Sequence, residues 1–397
     1  MPIGLYISVP FCRTKCTYCN FASDVFSRAV FARYADRVCA DIHTTPETAH
    51  HMGGRLETDV DTLYLGGGTP TVLDSQQLER LFVTLKQEFR LCPETEITVE
   101  CAPGTLTPEV LDTLQRSGVN RVSLGVQSFV DQEAASVGRL HKRVTVLDDV
   151  VRLRQAGISN INVDLIAGLP HQTAESWNES VESAIALGVP HVSVYMLEVD
   201  EDSRLGRELI AGGTKYHAHF VPKEELTADL YETACAQLKA AGIAQYEISN
   251  FARPGMESLH NLKYWTRLPY LGFGVDAHSM LPSAGGELDA VRFSTSDSLE
   301  QYVAGATLNR TEVSRQAALE ESFFLGLRLN RGIDLAELRE RFGNREIEIV
   351  SPVLTELISA GLLERQGDRV RLSARGRLLS NEVFERFLEC GAGTPAR

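Results

Sequence analysis

Near its start the chain reads Ser8-Val-Pro-Phe-Cys12-Arg-Thr-Lys-Cys16-Thr-Tyr-Cys19-Asn-Phe21, and this stretch decides the fold. Its three cysteines are spaced C-x₃-C-x₂-C and directly follow an apolar run, Ile3–Val9, that predicts a buried strand. Four thiolates would complete a zinc site or an ordinary iron–sulfur site, whereas three leave one metal position open. The spacing therefore predicts an iron–sulfur cube with one iron free for a non-protein ligand. The alternative is three unrelated buried or redox cysteines.

The composition is that of an ordinary globular protein. The 397 residues are 43% hydrophobic and 23% charged, and the net charge of −14 argues against nucleic acid or an anionic membrane as the main partner. The sequence shows no secretory leader and no apolar run near the roughly 18 residues that span a bilayer, so we expect a cytoplasmic protein. The other cysteines are scattered, which predicts small buried side chains and no disulfide framework; they are Cys39, Cys92, Cys101, Cys235 and Cys390.

Strand-like and helix-like patterns alternate over residues 1–197. The predicted strands are Ile3–Val9, Thr62–Leu65, Glu96–Cys101, Arg121–Val126, Ile161–Ile166 and Val192–Leu197. The predicted helices are Ala29–Ile42, Ser75–Phe89, Pro108–Gln115, Thr145–Ala156 and Ala174–Ala186. Six such units in series predict an α/β fold with a parallel sheet, either doubly wound or a barrel. Motifs at the ends of nearly every strand favour a barrel mouth, so we expect a partial (β/α)₆-type barrel.

The pattern changes twice after this barrel. Residues 198–310 contain a predicted helix, Lys223–Ala240, and short strands near Gln245–Phe251, Leu271–Met280 and Ala290–Thr295 that should extend or cover one edge of the sheet. Residues 311–397 follow the order helix, helix, hairpin, helix, which is typical of a winged-helix-like domain. Acidic residues are at least as frequent there as basic ones, and no lysine occurs. We therefore expect a structural or lid domain that does not bind nucleic acid.

A glycine run follows the second predicted strand. The run is Gly66-Gly67-Gly68-Thr69-Pro70, and the missing Cβ atoms would let a ligand approach the backbone closely. No Gly-Lys-Ser/Thr follows, so the run is not a phosphate loop. A ligand contact and a plain glycine-rich turn are the two interpretations.

Polar residues close three otherwise apolar strands. They are Glu100, Gln127 and Asp164, and burying such groups is costly unless they are hydrogen-bonded. A neighbouring backbone group could satisfy each one, but three in register on successive strands favour a shared ligand. Arg139 is a natural partner for a carboxylate of that ligand, with a solvated surface arginine as the alternative.

The cysteine array and the glycine run together resemble the radical S-adenosylmethionine (SAM) superfamily. Four segments also resemble the oxygen-independent coproporphyrinogen III oxidase family over roughly the first half of the chain: Leu5–Cys12, Gly66–Pro70, Gly125–Phe129 and Asp164–Pro170. The resemblance implies that Cys12, Cys16 and Cys19 bind a [4Fe–4S] cluster. It also implies that SAM sites are lined by Tyr6, Tyr18, Gly67, Gly68, Thr69, Glu100, Gln127, Arg139, Asp164 and Glu198.

Within that family the chain resembles the branch of HemW heme chaperones. Phe21 stands where the oxidase has a further cysteine, and only eleven residues precede Cys12, where the oxidase has a long segment. A later block is similar to that branch, apart from Asp276, where a small residue is common; it comprises Tyr246–Gly255, His260–Trp265 and Tyr270–His278. The resemblance implies heme as a ligand, an acceptor protein for the heme, and a reductant such as flavodoxin or ferredoxin.

Histidines in the second half of the chain are candidates for heme contact. His260, with Tyr264 and Trp265 nearby, could be an axial ligand of the iron, a loop-stabilising residue or a substrate contact. His278 is a weaker candidate, and His217 and His219 look like an exposed polar pair.

We expect a heme-binding and heme-delivering protein, with SAM cleavage left open. A coproporphyrinogen III oxidase and a radical SAM methyltransferase are the alternatives. All three classes of protein share the motifs up to Asp164. They differ in the ligand that occupies the mouth of the barrel beyond SAM, and the residues after Leu197 determine that ligand.

Overall fold

A computed structural model of the chain describes residues 1–388 and is organised around one large sheet. The sheet has twelve strands in the order β12-β11-β10-β9-β1-β2-β3-β4-β5-β6-β8-β7, and it does not close on itself. Its first six strands are β1 (Ile3–Val9), β2 (Asp59–Gly67), β3 (Arg90–Cys101), β4 (Arg121–Gln127), β5 (Asn160–Ala167) and β6 (His191–Met196). These six run parallel to one another, so the expected partial α/β barrel is confirmed.

Helices connect the parallel strands and cover one face of the sheet. They are α1 (Ala29–His43), α2 (Thr45–Met52), α3 (Ser75–Glu88), α4 (Pro108–Arg116), α5 (Asp131–Ser136), α6 (Arg143–Gln155) and α7 (Ala174–Ala186). Asp74, Thr107 and Thr173 begin three of them by accepting a hydrogen bond from a backbone N–H of the first turn. The helices α2 and α5 were not predicted, because each is too short for its apolar spacing to stand out.

The two faces of the sheet differ in polarity. On β1, Leu5 and Ile7 lie in the main apolar cluster with Phe31 and Tyr34 of α1. The opposite face carries polar side chains: Tyr64, Ser123, Asn162, His191 and Ser193 bond across strands, and Thr62 and Glu96 bond to His260. The concave interior of the open barrel is therefore polar, and the cavity described below lies at its carboxyl end.

The segment after β6 extends both edges of the sheet. Its elements are α8 (Arg204–Ala211), α9 (Glu224–Ala240), β7 (Ala244–Gln245), β8 (Asn250–Ala252), α10 (Leu259–Trp265), β9 (Tyr270–Gly274), β10 (His278–Pro282), β11 (Ala290–Ser294), α11 (Leu299–Ala304) and β12 (Asn309–Val313). Strand β9 pairs in parallel with β1, whereas β10, β11 and β12 continue as antiparallel neighbours. The single strand predicted at Leu271–Met280 is wrong, because the chain reverses at Asp276, whose φ is +54°.

The remaining residues form a smaller unit around a three-stranded sheet. Its elements are α12 (Arg315–Gly326), β13 (Ile333–Asp334), α13 (Leu335–Phe342), α14 (Asn344–Ser359), β14 (Leu363–Gln366), β15 (Arg369–Leu372), α15 (Ala374–Leu378) and α16 (Ser380–Leu388). The order of helices and hairpin is the winged-helix-like arrangement that we expected. Its apolar cluster also takes in Ile248 and Met280 from the preceding segment, and the domain bounds at 197 and 310 stay a prediction.

Two sequence expectations about the whole chain can be compared with the described residues. Within residues 1–388, no helix has the length and apolar character needed to cross a bilayer. Cys39 and Cys101 are buried and Cys92 and Cys235 are half-buried, all as free thiols, whereas Cys390 lies outside the described residues.

Candidate functional site

A cavity of about 580 Å³ lies at the carboxyl ends of the parallel strands. It collects residues that the sequence places far apart, and twelve of the predicted site residues line it. They are Cys12, Cys16, Tyr18, Cys19, Gly67, Gly68, Thr69, Glu100, Gln127, Arg139, Asp164 and Glu198. Tyr6 and His260 are the two predicted residues that do not line it.

The three cysteines form one wall of the cavity on the loop that follows β1. The loop is fixed by backbone hydrogen bonds from Cys12 N–H to Asp24 O at 3.0 Å and from Thr17 N–H to Val137 O at 3.1 Å. Burial raises the pKa of the Cys12 thiol. Within residues 1–388, no group of three or more His, Cys, Asp or Glu side chains is arranged so that it could bind a single metal ion. A four-iron cube has a different requirement, because each thiolate binds a separate iron.

The glycine run is needed for packing as well as for ligand access. Gly67 has φ +99°, and a Cβ on Gly68 would lie 2.7 Å from Phe11 O and 3.0 Å from Cys12 Sγ. The close approach to the cysteine loop therefore requires glycine at both positions. The run is a tight turn that also forms part of the cavity wall, and contact with a ligand there stays a prediction.

Glu100 is the most constrained carboxylate in the cavity. The Tyr64 hydroxyl donates to Oε1 at 2.8 Å, and the Gly67 N–H donates to Oε2 at 3.1 Å. Burial raises the pKa of Glu100 to about 7 despite these two donors. The carboxylate is thus held in one orientation, with a protonation state that is sensitive to pH near neutrality. Sequence reasoning missed Tyr64, which lies two residues before the glycine run on the same strand face.

Asp164 is held by a small polar network on neighbouring strands. Ser123 donates to it at 3.2 Å and the Asn162 side chain donates at 2.7 Å. Burial raises the pKa of this carboxyl group too. The network explains how a carboxyl group is tolerated in the interior, and its supporting residues were not singled out in the sequence.

Gln127 and Arg139 complete the opposite wall. Gln127 has φ +69° and follows an irregularity in the pairing of β4 with β5, which turns its side chain into the cavity. The Arg139 guanidinium donates through Nη2 to the Tyr18 hydroxyl at 3.1 Å. Its buried Nε has no hydrogen-bond partner among the described residues. A buried cation with an unused donor beside a cavity fits an anionic group such as a carboxylate.

His141 also lines the cavity, although sequence reasoning did not select it. Its Nε2 lies 3.1 Å from Val126 O and must donate to that carbonyl oxygen. Burial and the nearby Arg139 guanidinium lower the pKa of His141 to about 4, so the ring is neutral at neutral pH. The sequence signal that could have identified His141 is its position two residues after Arg139.

His260 lies in a buried cluster outside the cavity lining. Its Nδ1 is 2.9 Å from Thr62 Oγ1, its Nε2 is 2.9 Å from the Tyr264 hydroxyl, and the residue is 1% exposed. The Tyr6 ring stacks on it with a centroid distance of 6.1 Å. A bond from either nitrogen to iron would first have to break one of these hydrogen bonds.

The rest of the block around His260 joins parts of the fold. Lys263 pairs with Asp61 at 2.7 Å and donates to Pro2 O at 3.1 Å, which ties α10 to the amino ends of β1 and β2. The Arg328 guanidinium lies 4.3 Å from the Trp265 ring centroid. The block therefore connects the amino-terminal end of the barrel to the C-terminal unit.

Comparisons with known proteins agree with this geometry. The model of the radical SAM superfamily matches residues 6–184, and the model of the HemN C-terminal domain matches residues 313–379. The heme chaperone HemW of Lactococcus lactis is 34% identical, with 98% of this chain and 97% of that protein covered. The heme chaperone HemW of Bacillus subtilis is 35% identical, with 96% and 98% covered.

A solved structure extends the similarity to the whole fold. The coproporphyrinogen III oxidase HemN of Escherichia coli, described as a radical SAM enzyme, superimposes with a TM-score of 0.81 and is 25% identical. The superposition covers 97% of this chain and 90% of that protein.

Proposed function

Since the chain belongs to the HemW family of heme chaperones, we propose that it binds heme and delivers it to an acceptor protein. The observation that carries this proposal is identity above 30% to HemW proteins over nearly the full length of both chains. That similarity includes the residues after 197, which distinguish the chaperone from its alternatives.

In this proposal Cys12, Cys16 and Cys19 hold a [4Fe–4S] cluster. Three free thiols on one cavity wall, facing a tight glycine turn, support this assignment. When bound, the cluster would supply an open iron position and, once reduced, an electron. The chain itself supplies the enclosure, the orientation of the bound groups and the local charge.

SAM would lie across the cavity between its two charged walls. The Arg139 guanidinium, with its unused Nε donor, would bind the SAM carboxylate. Glu100, when ionised, would accept hydrogen bonds from the SAM ammonium group, and Tyr64 and Gly67 keep it in place for that contact. Gln127 and Asp164 line the same space and would contact other polar atoms of SAM.

The oxidase is the second candidate function, because the solved HemN structure shares the fold over nearly the whole chain. One experiment separates the two. After anaerobic cluster reconstitution, a chaperone should show a Soret band that survives gel filtration. With SAM and a reductant it should produce no protoporphyrinogen IX from coproporphyrinogen III. Turnover of coproporphyrinogen III would contradict the proposal.

The proposal includes two protein partners in the cytoplasm. One accepts the heme, and the other is a one-electron donor such as flavodoxin or ferredoxin, which the cluster needs for reduction. Duplex nucleic acid is not among the proposed partners, because the net charge is −14.

A further inference from the structure

A second cavity, of about 400 Å³, lies between the cysteine loop, the start of α1 and the starts of α3 and α4. Cys12 and Thr105 line this cavity as well as the first one. Because Cys12 would bind one iron of the cluster, a molecule seated in the second cavity would touch a cluster ligand. It would do so without entering the space proposed for SAM.

The segment that forms one side of this cavity exposes apolar side chains. Phe21 is 66% exposed, Val25 is 55% exposed and Phe26 is 37% exposed, and all three lie within six residues. Below them the buried ring of Phe31 stacks on Phe11 with a centroid distance of 3.9 Å, which gives the cavity a firm apolar floor. Exposed apolar side chains gathered in one patch are typical of a surface that another protein covers.

The charge of this segment is opposite to that of the whole chain. The net charge of the chain is −14, but residues 12–35 have one acidic side chain, Asp24, and four basic ones, Arg13, Lys15, Arg28 and Arg33. Arg13 and Lys15 donate to backbone carbonyl oxygens, which leave their charge uncompensated. Arg28 and Arg33 are exposed. The cluster loop is therefore a local positive region on a negative protein.

The acidic residues around the cavity have local partners. Asp74 caps α3 by accepting from the Gln77 N–H at 2.8 Å, and Glu109 lies in the first turn of α4, so both face the positive end of a helix dipole. Asp24 accepts from the Val25 N–H at 2.7 Å. The charges that lack such a counterpart are the basic ones.

We propose that this surface docks a small acidic one-electron carrier protein that reduces the cluster. The inference rests on the proposed function, since it locates one of the two partners named there. The step is the transfer of one electron: the carrier is oxidised and the cluster goes from [4Fe–4S]²⁺ to [4Fe–4S]⁺, with no bond made or broken.

The surface has the composition that such a partner requires. An apolar centre with a charged rim is the usual anatomy of a protein interface. A positive region on an otherwise negative chain would also steer an acidic carrier to the cluster and repel it elsewhere. Entry beside Cys12 lets the electron reach the cluster while SAM occupies the first cavity.

The test is stopped-flow reduction of the cluster-loaded chain by fully reduced flavodoxin, an acidic carrier whose flavin absorbance reports the electron loss. In Arg28→Glu/Arg33→Glu the reduction should be about tenfold slower or more at low salt, and the difference should shrink at high salt. Binding of oxidised flavodoxin, measured by calorimetry, should weaken in parallel. Both residues are exposed at the start of α1, so the fold should be kept.

Two controls accompany this variant. Arg345→Glu/Arg375→Glu makes the same change in net charge at exposed residues of the C-terminal unit and should leave the flavodoxin rate near that of the wild type. Dithionite, a small reductant that needs no docking surface, should reduce all three proteins at the same rate.

The possible results separate this inference from the proposed function. Heme binding is measured without any carrier, so a wild-type chain that binds no heme contradicts the proposed function itself. Equal flavodoxin rates in the wild type and Arg28→Glu/Arg33→Glu would overturn the inference alone, as would equal slowing in the C-terminal control. A dithionite rate that falls with the flavodoxin rate would assign the loss to the cluster and also overturn it.

Discussion

Tyr64 and Gly67 hold both carboxylate oxygens of Glu100, and burial raises the pKa of this group to about 7. Only the ionised carboxylate attracts an ammonium group, so SAM affinity should rise between about pH 6 and pH 8. In Tyr64→Phe, loss of the hydroxyl donor removes a hydrogen bond that lowers this pKa, and the midpoint should move to higher pH. Calorimetric titrations of cluster-loaded protein at a series of pH values measure this. Identical pH profiles for both proteins would show that Tyr64 does not position Glu100.

His260 is predicted to stabilise the fold without ligating heme. His260→Ala leaves the polar groups of Thr62 and Tyr264 without their partner, and each loss should lower the free energy of unfolding by about 1–3 kcal/mol. The Soret band of the heme complex should not change. Urea unfolding and a heme titration test both statements, with Tyr264→Phe as the control that removes one of the two hydrogen bonds. A shifted Soret band in folded His260→Ala would assign His260 to the heme after all.

The cysteine loop gives a prediction with an internal control. Anaerobically reconstituted protein should hold about four irons and four sulfides per chain, and Cys16→Ala should lose them. Cys235→Ala alters a half-buried thiol of α9 away from the cavity and should keep the full cluster. Iron and sulfide analysis gives the answer. A full cluster in Cys16→Ala would exclude the triad as the ligand set.

In the hairpin β14–β15 of the C-terminal unit, arginine side chains form ion pairs with carboxylates of the same unit. Arg371 binds Glu364 at 2.9 Å, and Arg369 binds Asp334 at 3.3 Å. These pairs leave little free positive charge for phosphates, so the chain should show no salt-dependent binding to duplex DNA. Fluorescence anisotropy with a labelled duplex at low and high salt measures this. Micromolar affinity that falls steeply with salt would contradict the prediction.

The contact between the barrel and the C-terminal unit depends on Arg267. Its side chain is 2% exposed and binds Glu321 of α12 at 2.7 Å and Asp289 at 3.1 Å. Arg267→Ala leaves Glu321 paired with Arg292 alone and Asp289 paired with Arg341 alone, so it should lower the free energy of unfolding by about 1–3 kcal/mol, the value of lost hydrogen bonds between charged groups. Arg339→Ala breaks the exposed pair with Asp368 and should cost about 0–1 kcal/mol. If urea unfolding gave the same loss of free energy for both variants, the buried ion pairs of Arg267 would contribute no more to stability than an exposed pair.

Elements with a strong periodic pattern were predicted well, and those set by distant contacts were not. Strand Ile3–Val9 was predicted within its observed bounds, because an unbroken apolar run is a local signal. Helix α10 was missed, since its seven residues form where Ser258 caps it and Glu96 accepts from its first N–H groups. Glu96 lies 163 residues before the first of these.

At the scale of the whole molecule, the sequence predicted which residues line the cavity but not how they are held. The strand ends pointed to Glu100, Gln127 and Asp164, because parallel strands bring their carboxyl ends to one edge. The contact of Thr62 with His260 spans 198 residues and has no local pattern that could predict it. The same is true of the pairing of His171 with His217.

The position of β1 between β2 and β9 has a consequence for the order of synthesis. The cysteine strand can pair with β2 soon after translation begins, but its other edge stays open until residues 270–274 have emerged. At about 5–20 residues per second, that interval lasts on the order of tens of seconds. During it, three thiols lie at the end of an unfinished sheet. We therefore expect a cluster to be assembled on this chain only after β9 has emerged and paired with β1.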